Sequence, residues 1–189
     1  MQKKALIILA EGFEEVEAIT PLDYLRRAGV AVTICALGDK TIVYGSHKIP
    51  VLADCSSADL ESNGQLEANH WDALLLPGGI PGARYLSESH TVVNLVKAMA
   101  EAGKIVAAIC AAPALVLFPA GVLQRHKWTC YPGMEQVGQQ SQWVAEPVVT
   151  DGNIITSRGA GTAGQWAIAL IRALMGEEQA ASIASSVLL

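Results

Sequence analysis

Four short runs, Ala5–Leu9, Val30–Leu37, Ala73–Leu76 and Ile105–Ile109, are apolar without the alternation that a half-exposed strand shows. A strand of this kind has to be covered on both faces, which is the condition of a parallel sheet between two helical layers. The intervening segments supply the helices. Glu14–Ala28 and Thr91–Ala102 carry apolar residues at helical spacing, and Gly29 and Gly103 follow them where a left-handed cap is wanted. The order strand, helix, strand, helix predicts an α/β fold, a three-layer sandwich with a mostly parallel central sheet. Thr41–Tyr44 with Lys48–Leu52, and Val148–Thr150 with Asn153–Thr156 around Asp151-Gly152, read as β-hairpins, while Thr162–Met175 and Glu177–Val187 read as terminal helices. No linker, repeat or low-complexity tract interrupts the chain, so residues 1–189 are expected to form one domain.

Composition removes several classes of function. Charged residues are 16% of the chain, the net charge is −5 and no Lys/Arg cluster occurs, so neither nucleic acid nor an anionic membrane is an expected partner. Ile105–Leu123 is uncharged and near the length of a membrane span, but Pro113, Pro119 and Gly121 interrupt it, and a buried strand running into a buried helix has the same composition. The apolar core of Ala5–Ala10 is too short for a secretory signal. Cys35, Cys55, Cys110 and Cys130 include no C-x-x-C pair, which predicts reduced thiols in a cytoplasmic protein rather than a disulfide framework or zinc site. His47, His70, His90 and His126 lack a ligand partner at i+4, so they read as surface residues and no metal is expected.

In a doubly wound sheet, ligands bind at the carboxyl ends of the strands where the strand order reverses. That directs attention to Glu11–Glu17, Pro77–Arg84, Cys110–Pro113 and Ser157–Thr162. Cys110 stands on the corner between a buried strand and a helix whose first turn holds Pro113. The corner resembles a nucleophile elbow with alanines as spacers, and free N–H groups at a helix start would lower the thiol pKa. An inert core cysteine is the alternative. Gly78-Gly79 can turn backbone N–H groups inward as an oxyanion nest or can serve as an ordinary turn. Among Glu11, Glu14, Glu15 and Glu17, only Glu17 shares a helical row with Phe13, Thr20, Tyr24 and Ala28, where a partly buried carboxyl would have a raised pKa and could act as a general acid. Gly159-Ala-Gly161-Thr-Ala-Gly164 matches G-x-G-x-x-G, but no second strand with an acidic end follows, so no dinucleotide is expected. Arg158, Gly159 and Thr162 are instead expected to cap the next helix and line a pocket.

Five blocks then stand in register: Leu9-Ala-Glu-Gly-Phe-Glu-Glu-Val-Glu17, Arg26-Arg27-Ala-Gly29, Leu75-Leu-Pro-Gly-Gly79, Ala107-Ala-Ile-Cys-Ala-Ala-Pro113 and Thr156-Ser-Arg-Gly-Ala-Gly-Thr162. Together they resemble the DJ-one branch of the ThiJ/DJ-one/PfpI superfamily over nearly the whole chain. The resemblance implies a flavodoxin-like sandwich, a homodimer and a cofactor-independent site in which a protonated Glu17 hydrogen-bonds the Cys110 thiolate. Gly78, Gly79 and Ala111 would supply oxyanion-hole backbone, with Tyr131, Arg158 and Ala160 around the pocket. It implies glyoxalase or deglycase chemistry on methylglyoxal, a small reactive carbonyl, or on glycated proteins, alongside oxidative-stress sensing and chaperone roles. Three positions depart from relatives. Ala111 replaces the histidine that follows the cysteine in PfpI-type proteases, so peptidase work is not expected. Tyr131 stands where some members have histidine. His47 stands where many members have an anion-binding arginine, leaving Arg27 in place.

Overall fold

The computed structural model describes residues 1–138 and 142–189 and turns each of the four apolar runs into a strand. In chain order the elements are β1 (Lys4–Leu9), α1 (Glu15–Arg27), β2 (Ala31–Ala36), β3 (Ile42–Tyr44), β4 (Pro50–Leu52), β5 (Cys55–Ser56), α2 (Ser57–Ser62), β6 (Ala73–Leu76), α3 (Gly82–Glu88), α4 (His90–Glu101), β7 (Ile105–Ile109), β8 (Val148–Asp151), β9 (Ile154–Ser157), α5 (Ala163–Met175) and α6 (Glu177–Ser186). The main sheet has the order β5-β2-β1-β6-β7-β9-β8 and is parallel except for β8, which runs antiparallel to β9. β3 and β4 form a separate antiparallel hairpin. This is the mixed α/β sandwich, with a mostly parallel central sheet, that the apolar runs predict.

Period-two alternation along each strand divides the core in two. On β1, Ala5, Ile7 and Leu9 face a layer made by α1, α5 and α6, where Leu25, Trp166, Leu170 and Ile183 are buried. Leu6 and Ile8 face the opposite layer, where Leu86 of α3 and Val96 and Met99 of α4 are buried. Burial on both faces explains why these strands are almost wholly apolar, with Lys4 at the exposed start of β1 and the half-buried Thr33 on β2 as the exceptions. Among the described residues, no helix is long and apolar enough to cross a membrane.

The segment after Cys110 differs from expectation. It continues as a five-residue π-wound helix, Pro113–Leu117, followed by turns, rather than as a long regular helix. Pro119 and Gly121 account for the early stop, because proline cannot donate to the helical ladder and glycine leaves it easily. Three elements escape the sequence pattern altogether. They are the two-residue edge strand β5, α2, which begins with a Ser56/Asp59 capping box, and α3.

Trp166 ties the layers together, being wholly buried with its indole N–H donating to the Ile155 carbonyl at 3.3 Å. Replacing it with alanine is expected to cost about 3–5 kcal/mol of folding stability, to be read from denaturant midpoints at unchanged m-value.

Candidate active site

β1 and β6 are neighbours in the sheet, and the chain builds outward through β2 and β5 on the β1 side but through β7 and β9 on the β6 side, so the strand order reverses between them. The segments leaving β1, β6, β7 and β9 converge there. Glu17 comes from the first turn of α1 and is 1% exposed. Its Oε2 accepts the Gly78 N–H at 2.9 Å, the Ala160 N–H also donates to its carboxyl group, and the Cys110 thiol is its side-chain partner. Cys110 follows β7 at φ +63°, with its N–H donating to the Ser157 carbonyl at 3.0 Å and its carbonyl accepting from Tyr131 N–H at 2.8 Å. These two bonds pin the corner to β9 and to the Tyr131 loop. The N–H groups of Gly79 and Ala111 donate to the Cys110 sulfur.

Space at the centre is tight enough to dictate one residue. A Cβ on Gly78 would lie 2.6 Å from Cys110 Cβ and 2.7 Å from Glu17 Oε2, so only glycine lets the β6 loop lie against both side chains. Gly78 therefore orients Glu17, while Gly79 and Ala111 face the sulfur.

The sulfur opens into a cleft of about 440 Å³ lined by Gly79, Ile80, Cys110, Ala111, Tyr131, Pro132, Gly133 and Met134. A slightly larger hollow of about 470 Å³ beside Glu11, Ser57, Tyr85 and Glu88 contains no activated nucleophile, since Ser57 Oγ is already bonded to Gly38. A larger hollow than the cleft thus lies away from the chemistry, and the cleft is identified by its reactive groups rather than by its volume.

Burial, countered by the hydrogen bonds from Cys110 and Gly78, pushes the Glu17 carboxyl up from 4.5 to about 7. The thiol departs from the acidity expected of an elbow. Burial first, and then the Glu17 charge, push Cys110 up to about 12 against the pull of the Gly79 and Ala111 N–H groups. The short π-wound helix offers less dipole than a regular one. Two groups in contact titrate as a unit, so the pair loses one proton near neutral pH and the second only in strong alkali.

The other acids have structural employment, and Glu11 and Glu15 find it with partners distant in sequence. Glu14 caps α1, accepting from Glu17 N–H at 2.8 Å. Glu11 accepts from Tyr44 N–H at 3.1 Å. Glu15, 6% exposed, accepts from His47 N–H at 2.7 Å, pairs with His47 Nδ1 at 2.8 Å and accepts from Ser46 Oγ at 3.2 Å. Burial works against its ionisation, but these bonds prevail and hold it at about 2, while His47 is pushed up. Donor atoms of Glu14, Glu15 and His47 lie within 4.8 Å of one another, a proximity that i+4 spacing could not reveal. Each is engaged as described, next to the positive end of α1, which disfavours a cation.

His47 is therefore committed to Glu15, and Arg27 to Asp23 at 2.7 Å. Neither lies among the residues lining the cleft. Tyr131 forms part of its wall and is 53% exposed. The Arg158 charge favours ionisation of Cys130, and its backbone N–H donates to the Pro147 carbonyl at 3.3 Å. Thr162 Oγ1 turns back to Gly159 and Ser157 instead of capping α5.

Known proteins resemble this chain in sequence and in fold. The DJ-1/PfpI family model matches residues 3–173. The chain is 37% identical over 97% of its length to Protein DJ-1 homolog B of Arabidopsis thaliana, although it spans only 40% of that relative. It is 34% identical to a protein named deglycase from Pyrococcus abyssi, covering 86% of this chain and 94% of the relative. The structure of Toxoplasma gondii DJ-1 in its oxidised form superposes with a TM-score of 0.92 at 34% identity, covering 98% of each chain.

The raised Glu17 pKa makes stability depend on pH. Glu17 ionises near 4.5 when unfolded and near 7 in the fold, so the native state binds the extra proton between those values and stability falls as pH rises through them. The full drop is about 3 kcal/mol. Glu17→Gln should abolish it, as read from denaturant unfolding at pH 5 and pH 8. His47 loses its contribution in the same direction at the upper end in both proteins, and Glu15 acts only below this window, so the difference between the two proteins isolates Glu17.

Proposed function

The chain belongs to the DJ-1/PfpI family, and from that membership we propose that it is a cysteine-dependent, cofactor-independent glyoxalase or deglycase acting on methylglyoxal or its protein adducts. One observation carries the reading: the Cys110 sulfur, in the wall of the cleft, touches a buried carboxyl group, Glu17, that titrates near neutrality. The deglycase name of the Pyrococcus abyssi relative supports the same class. Within the singly ionised pair, the reactive form is the one with the charge on sulfur, where the Gly79 and Ala111 N–H groups face it and the proton remaining on Glu17 donates to it.

The thiolate adds to the aldehyde carbon of methylglyoxal, and the new alkoxide takes a proton to give a hemithioacetal. Glu17 then removes the proton from that carbon and returns one to the adjacent carbon, turning the adduct into a lactoyl thioester. Water cleaves the thioester, releasing lactate and restoring the thiol. Tyr131 borders the path of substrate where some relatives have histidine, which leaves proton transfer to Glu17 and water. Peptidase chemistry is disfavoured because the partner of the sulfur is a carboxyl group and its chain neighbour is Ala111.

The second reading is a redox sensor with a chaperone role, in which the same donors hold an oxidised Cys110 at the sulfinic stage. The oxidised form of the Toxoplasma gondii relative motivates it. A cytoplasmic setting fits four unpaired thiols.

The assembly proposed is a homodimer. Val16 and Ile19 on α1, with Ile42, Tyr44, Ile49 and Leu52 on or beside the hairpin, are 41–72% exposed, and the Glu15 contacts to Ser46 and His47 hold helix and hairpin together as one apolar face. Light scattering should give a species near twice 19.9 kDa, and Leu52→Glu should shift it toward the monomer; a wild-type protein that stays at 19.9 kDa at micromolar concentration refutes the dimer.

For the reaction, purified metal-free protein should convert methylglyoxal to lactate, and Cys110→Ala should abolish turnover. Glu17→Gln keeps an acceptor for Gly78 and a donor for sulfur but removes the transferable proton. It is expected to retain thiolate formation, followed by ultraviolet absorbance, while turnover drops by about 10²-fold or more. Wild-type turnover in Glu17→Gln would remove Glu17 as the shuttle and favour the sensor.

A further inference from the structure

Two more thiols meet at the far edge of the sheet. Cys35 on β2 and Cys55 on β5 are direct register partners across a parallel strand pair. Side chains opposite one another in such a pair project to the same face. Both pack against the core cluster containing Leu60 and Trp71, and each thiol is the other's hydrogen-bond partner. Cys35 is wholly buried, whereas Cys55 is partly open to solvent.

Adjacent strands lie about 4.8 Å apart, inside the Cα separation of about 4.4–6.8 Å that a disulfide spans. Closing the bond requires the sulfurs to rotate and the backbone to give slightly. β5 can give, since it is two residues long, stands at the sheet edge and pairs with β2 alone.

We propose that Cys35 and Cys55 form a second redox site, a dithiol that a hydroperoxide closes reversibly to a disulfide. The accessible Cys55 sulfur attacks the peroxide, the O–O bond breaks, and water or an alcohol leaves, giving a sulfenic acid. The Cys35 sulfur then attacks Cys55, the S–O bond breaks, and the hydroxide leaves as water with the Cys35 proton. Two thiols lose two electrons and the peroxide gains them. Burial pushes both thiols up, so few thiolates are present at neutral pH and the bridge forms under sustained rather than brief exposure.

The pair is separate from Cys110. β1 and β6 stand between β2 and β7, which places three strand spacings, about 14 Å, between the two sites. A sulfenic acid on Cys110 cannot be resolved by Cys35 or Cys55, whereas one on Cys55 has its resolving thiol in contact. Oxidation therefore ends differently at the two places.

The test uses full-length Cys110→Ala protein, which removes the competing thiol, treated with excess hydrogen peroxide and analysed by intact mass and non-reducing peptide mapping. The expected result is a linked Cys35–Cys55 peptide, an intact mass lower by about 2 Da for the two lost hydrogens, and full reversal by dithiothreitol. Cys55→Ser, a change at the exposed edge that spares the buried position, should eliminate the linked peptide. Recovery of Cys55 as a sulfinic acid, as an unmodified thiol or linked to Cys130 overturns the proposal. The result does not depend on whether Cys110 turns over methylglyoxal.

Discussion

The 2.9 Å hydrogen bond from Gly78 N–H to Glu17 Oε2 is the contact on which the site depends. It joins the loop after β6 to the first turn of α1 across the point where the strand order reverses, and it does so beside the Cys110 side chain. Because Gly78 lies against both the carboxyl and the Cys110 side chain with no room for a Cβ, the place where the two groups meet is bounded by backbone. Backbone held in a buried parallel sheet is the least adjustable part of a protein. Cys110 is thus positioned by the end of a sheet strand and Glu17 by the first turn of α1, which the Gly78 bond ties to the sheet.

The acids at the start of α1 show how environment separates identical side chains. Glu15 and Glu17 are two residues apart, both nearly inaccessible, yet one is held at about 2 and the other is pushed up to about 7. Glu15 meets a histidine, a hydroxyl and backbone donors from the hairpin. Glu17 meets backbone N–H groups and a thiol, with no positive charge among them, and the cost of burying its charge prevails. Gly45 is part of the same arrangement, because a Cβ there would overlap the Glu15 carboxylate.

Much of this architecture is legible in the order of residues alone. The four parallel strands are readable because each is covered on both faces, and β6 and β7 begin and end where the apolar runs do. Cys110 stands out because a strand ends abruptly at alanines and a proline. The features that escape a reading of the chain share a physical cause. β5 has two residues and α2 six, too few for a period to appear. The roles of Glu11 and Glu15 depend on Tyr44, Ser46 and His47, about thirty residues away, and no local pattern encodes such a contact. The acidity of Cys110 departs from expectation for the same reason: local sequence predicts donors at a helix start, but a buried carboxyl brought from α1 opposes them.

Cys110 occupies a backbone conformation at φ +63° that glycine would adopt more comfortably and that costs a side-chain-bearing residue about 1–2 kcal/mol. Nothing in the packing of β7 asks for a sulfur at that corner. If folding alone guided sequence drift, this position would move toward glycine and the protein would become sturdier as it fell silent. Under the proposed function, the side chain at this corner sets durability against reactivity, and an inactive descendant of this fold is expected to carry a relaxed, glycine-filled elbow.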